Sequence, residues 1–158
     1  MSDFNEQTQQ ADMGRTVSLS ARARATLKMA TGVTIGAIDL PLFETDTEAI
    51  RFACLLGLRY HGDTMPPLAD GRDANAQTVI NVGTLDTSAP SFISTVKLLA
   101  PDTVQKERLT RIVRAHAEWG LAQIQKWIEE AELEGDDLDL AHLVKKGEAL
   151  LDGAEESV

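Results

Sequence analysis

The sequence predicts a mainly α fold, a single compact helical domain with one or two short β-strands. Three observations lead there. Thr45-Asp46-Thr47-Glu48 has the spacing of a capping box and stands ahead of a nearly all-apolar run from Ile50 to Leu58. Apolar residues recur at three and four from Leu109 to Ala131, the period of a long amphipathic helix. Only RTVSLS and TVINV read as strands, and both are short. At 158 residues the chain is one domain in size. Residues 1–14 and 152–158 are expected as disordered tails around a domain of residues 15–151.

In RTVSLS, Val17 and Leu19 alternate with Thr16, Ser18 and Ser20, as in a half-buried strand. ARARATLKMATG follows as a helix, with Gly32 as its stop. VTIGAIDLPLF, interrupted by Gly36 and Pro41, is an apolar connector lying on the core. In the next helix the Thr45 hydroxyl accepts from the Glu48 amide while the Glu48 carboxylate reaches back, and Ile50, Ala53, Cys54, Gly57 and Leu58 share one face. Residues 61–76, with adjacent Pro66 and Pro67, form a turn-rich loop before a strand at 78–82. SAPSFISTVKLLAP predicts a helix capped by Ser88, with Pro90 in its first turn. One long helix is expected from Asp102 to about Glu134, and Asp137 caps a last short helix ending at Leu151.

The net charge of −10 disfavours sequence-independent binding to nucleic acid, which needs clustered Lys and Arg. Its distribution leaves one segment open to DNA. Residues 15–60 carry six bases against four acids, whereas residues 61–158 carry nine bases against eighteen acids. Within the basic segment Arg15, Arg22, Arg24 and Lys28 are the candidate DNA contacts. The acidic remainder suits a basic protein partner. No apolar run reaches the length of a membrane span, and the opening residues lack the pattern of a signal peptide, so a cytoplasmic protein without membrane contact is expected.

Cys54, the only cysteine, lies deep in an apolar helix and reads as a buried structural thiol rather than a nucleophile. His61-Gly62-Asp63 reads as a polar loop after a helix, with half of a metal site or a base and its orienting acid as the alternative. His116 lies on the apolar stripe of the long helix, and Gly120 on the same face suggests that another backbone comes close. With Trp119 and the two basic residues of the capped helix, Arg51 and Arg59, His116 forms the candidate partner-binding set. The chain has no nucleophile elbow, lysine-bearing phosphate loop or calcium loop. The expectation is a protein that is not an enzyme and uses no cofactor or metal.

Two family resemblances bear on function. TVSLS as strand, ARARATLKMATG as first helix and EAIRFACLLGL as second resemble the ribbon-helix-helix family, giving the chain a ribbon-helix-helix-like N-terminal part. That resemblance implies a DNA-binding transcriptional regulator or antitoxin whose strand pairs with a second copy and enters the major groove, with Thr16, Ser18 and Ser20 toward the bases. The order VSLSARARATLKMATGV, IRFACLLGL, TMPPL, TVINVG and the helix around AHAEWGLAQI spans about residues 15–130. In that order the chain resembles the small E component of bacterial DNA phosphorothioation (Dnd) systems and the Dnd system-associated protein 4 family. The resemblance implies a non-catalytic accessory or adaptor subunit of a DNA-modification or anti-phage defence system. Such a subunit acts through protein partners of that complex, through DNA contacts of residues 15–60, and as a homo-oligomer.

Overall fold

The first element among the described residues is β1 (Thr16–Leu19), where Val17 and Leu19 are buried and Thr16 is exposed, as the alternation predicts. The structure is a computed structural model and describes residues 15–32, 41–68, 76–86, 91–136 and 138–156. β1 pairs antiparallel with β2 (Gln77–Asn81) of the same chain, from Thr16 opposite Asn81 to Leu19 opposite Gln77, with an irregularity between Val17 and Ser18. The strand, helix, helix order of the N-terminal part is present. Within the chain, its strand hydrogen-bonds to β2.

Ser20 starts α1 (Ala21–Ala30), its hydroxyl accepting from the Ala23 amide at 3.1 Å. Gly32, at φ +77, turns the chain out of the helix. Most of the expected connector, residues 33–40, lies outside the described residues. Leu42 and Phe43 are buried, and both their amides donate to the Ala30 carbonyl.

Helix α2 (Asp46–His61) carries the hydroxyl half of the predicted capping box, the Thr45 hydroxyl accepting from the Glu48 amide at 3.2 Å. Its buried set is Ala49, Ile50, Ala53, Cys54, Leu56, Gly57 and Leu58. β2 ends one residue earlier than expected, because Val82 begins a single helical turn, α3 (Val82–Leu85). The next helix, α4 (Phe92–Leu99), is capped by Ser91, which accepts from the Ser94 amide. Ser88 and Pro90, expected at that start, lie outside the described residues. The single helix expected from Asp102 is two. A short α5 (Thr103–Lys106) is separated from α6 (Leu109–Glu134) by Glu107 and Arg108 in extended conformation.

Gly135, at φ +69, closes α6 by a Schellman pair, its own amide donating to Glu132 and the Asp136 amide to Ala131. Asp137, the predicted cap of the last helix, lies outside the described residues. The carboxylate that accepts from the His142 amide, at 2.8 Å, belongs to Asp139. The helix it starts, α7 (Leu140–Glu156), runs through residues 152–156, which were expected as tail.

The core lies where α2 and α6 cross, with α1, β1 and α4 closing its sides. Aliphatic residues dominate it, and the largest fully buried side chains include Ile50, Leu58, Ile112, Leu121 and Ile124. Among the described residues, no helix is long and apolar enough to cross a membrane.

Candidate functional site

Helices α2 and α6 run antiparallel and touch through backbone. A Cβ on Gly120 would strike the Ala53 carbonyl, and one on Gly57 would lie 2.7 Å from the His116 carbonyl oxygen. Only residues without side chains let two helices approach so closely. The sequence signal at Gly120 therefore marks a real close approach. Gly57 completes it from the other helix.

His116 sits in this crossing with no exposed surface, and among the described residues neither ring nitrogen makes a well-formed hydrogen bond. Burial pushes its pKa down to about 4, with the nearby His61 adding in the same direction and the Gly57 backbone opposing. The imidazole is neutral at pH 7. As an expected partner contact His116 needs correction, because a fully enclosed side chain reaches nothing outside the fold. His61 lies at the edge of the crossing, its ring centroid 6.2 Å from that of His116 and 4.7 Å, edge-on, from Trp119. Tyr60 stacks on Trp119 at 4.8 Å. Tyr60, His61 and Trp119 thus form an aromatic cluster, with His61 the member beside the buried histidine. Among the described residues His61 Nε2 is also buried without a partner, and desolvation lowers the His61 pKa.

Asp63 does not orient His61. Its Oδ1 accepts from the amides of Asp102 and Thr103, each at 2.9 Å, and from the Thr103 hydroxyl at 3.1 Å. The carboxylate thus caps α5 from about 40 residues away in sequence. Those bonds, the Thr103 amide first, hold its carboxyl below the usual range, with Lys106 adding to them. Cys54 is buried, and desolvation raises its thiol pKa far above the ordinary value, so it is no nucleophile at neutral pH. Among the described residues, no group of three or more His, Cys, Asp or Glu side chains could hold a metal ion.

The expected DNA-contact residues divide. Arg15, Thr16, Arg22 and Lys28 are exposed, and Ser18 is half-buried. Arg24 bonds to the Leu19 carbonyl at 3.3 Å and to the Gln77 side chain at 3.0 Å, tying α1 to both strands. Ser20 is 6% exposed; its amide and hydroxyl donate to the two carboxylate oxygens of Glu118, at 2.6 and 2.8 Å. Ser20 cannot face a base while it joins β1 and α1 to α6.

The basic residues of α2 divide likewise. Arg51 Nε and Nη2 both donate to the Leu85 carbonyl, at 3.1 and 2.8 Å, and so terminate α3. Arg59 is exposed and lies beside a groove between α2 and α7 with a cavity volume of 220 Å³. Phe52, Leu55, Val144 and Leu151 supply apolar walls, and Glu148 is the groove's anion. Sequence reasoning missed this groove. Its signal was the Leu140, Val144, Leu151 spacing in a segment expected to be short.

Comparison of the chain with known protein families, with curated proteins and with solved structures finds no match.

Proposed function

We propose that this protein is a non-catalytic accessory subunit of a bacterial DNA-modification or anti-phage defence system of the phosphorothioation kind. It works in the cytoplasm through protein partners and self-association, with DNA as a further contact of its exposed N-terminal bases. The observation that supports this reading most is where the chain spends its polar chemistry and where it leaves apolar surface. Cys54 and His116 are buried, while Asp63 and Arg51 cap neighbouring helices. Large apolar side chains stay in solvent instead: Leu133 is 88% exposed, Leu98 78%, Leu140 44% and Val144 41%. Apolar surface of that kind suits partner binding.

Purification of the tagged protein from its host, with identification of what accompanies it, tests the reading. The expected companions are sulfur-transfer or restriction subunits in fixed stoichiometry. A gel shift on its own promoter at physiological salt is the second arm. Specific, salt-resistant operator binding with no such companions would overturn the accessory role in favour of a regulator.

A further inference from the structure

We propose that the α2–α7 groove is a self-association surface in which α7 of a second copy of this chain lies, with Arg59 of each copy paired to Glu148 of the other. The proposal rests on the self-association included in the reading above and gives it a surface. Helices α2 and α7 touch where Gly147 faces Leu56; a Cβ there would lie 3.5 Å from Leu56 Cδ1, an ordinary contact. Around that contact 220 Å³ is left unfilled between Phe52 and Leu55 on one helix and Val144 on the other.

The apolar surface extends along α7, because Leu140 and Val144 stand one turn apart and are both more than one-third exposed. A second α7 presents the same stripe. Charge selects this occupant over others. The groove holds one cation, Arg59, and one anion, Glu148, both exposed and neither with an ion-pair partner among the described residues. A two-fold axis brings residue i of one copy to residue j of the other and j to i. Each Arg59 then meets a Glu148, twice per interface. An acidic partner would satisfy Arg59 and repel Glu148, and a basic one would do the reverse. Over most of its surface a chain of net charge −10 repels its own copy. This groove is locally neutral.

Sedimentation equilibrium on the full chain, with Arg59→Glu, Glu148→Arg and the double variant, tests the proposal. The wild type is expected at twice 17.1 kDa. Each single reversal sets like charges opposite one another in both copies and is expected to weaken the dimer about tenfold. The double reversal restores the dissociation constant. Circular dichroism of all variants should match the wild type, since the Arg59 and Glu148 side chains are exposed, and thermal melts should coincide at concentrations where every variant is monomeric; Val144→Asp provides a second disruption independent of charge pairing. A monomeric wild type, with the groove open to solvent or to another partner, would overturn the proposal. So would a dimer indifferent to Arg59→Glu and Val144→Asp, or a double reversal without rescue. None of these outcomes bears on which defence subunits accompany the protein, so failure here is distinct from failure of the accessory role.

Discussion

Helix α2 meets its two long neighbours on different terms. Toward α6 it presents Ala53 and Gly57, opposite Gly120 and the His116 backbone, and the helices close until no Cβ fits between them. Toward α7 it presents Leu55, Leu56 and Phe52, the helices touch at Gly147, and space remains. One helix thus has a sealed side and an open side. Small residues at a crossing remove side-chain entropy and gaps together, whereas large side chains meeting a shallow helix face leave voids unless something else fills them. The sealed side carries the fold, and the open side leaves unfilled space between partly exposed apolar residues.

The largest effect is expected on the sealed side. Ile50 is fully buried, so Ile50→Asp places an unpaired carboxylate in the core and should cost about 4 kcal/mol in urea unfolding. Gly120→Ala follows. Its methyl has no room against the Ala53 carbonyl, and the strain should cost about 3 kcal/mol even after the gain in helix propensity.

Acid acts on the same crossing. The folded-state pKa of His116 is about 4, below its ordinary 6.5, so the unfolded chain binds the proton more readily. The contribution is fully present above pH 6.5 and is lost as pH falls toward 4, by no more than about 3 kcal/mol. His61, lowered in the same direction, adds to that window. Unfolding free energy measured across this range should fall in the wild type and fall less steeply in His116→Leu. The smallest effect has the opposite sign. On the open side Gly147→Ala meets only ordinary contact, and it should stabilise the chain by about 0.7 kcal/mol through helix propensity. The same substitution is thus expected to destabilise at one seam and stabilise at the other, which thermal melts of the two variants would check.

What the sequence revealed in advance follows the range of each interaction. The Thr45 cap, the Gly32 stop and the stripe of α6 are local, and all three are present. Ser91 rather than the expected Ser88 caps α4, because Asp86 Oδ1 accepts from the Ser91 hydroxyl and the Ile93 amide and holds the turn there. Asp63 at the start of α5 and Glu118 on Ser20 join residues 40 and 98 positions apart. No periodicity records such pairs. The enclosed state of His116 was half legible, since its place on an apolar stripe signalled burial, but not the ring cluster of Tyr60, His61 and Trp119 beside it. The groove depends on how α7 lies against α2, which follows from tertiary packing alone.

Native-state hydrogen exchange on the Arg59→Glu variant, at a protein concentration low enough to disfavour any association of two copies, tests the sealed-and-open account most directly. Amides of residues 53–58 and 115–124 are expected to exchange only through global unfolding. Those of residues 143–151 should open at a clearly lower free energy. Equal protection of α7 and the α2–α6 crossing would contradict the account.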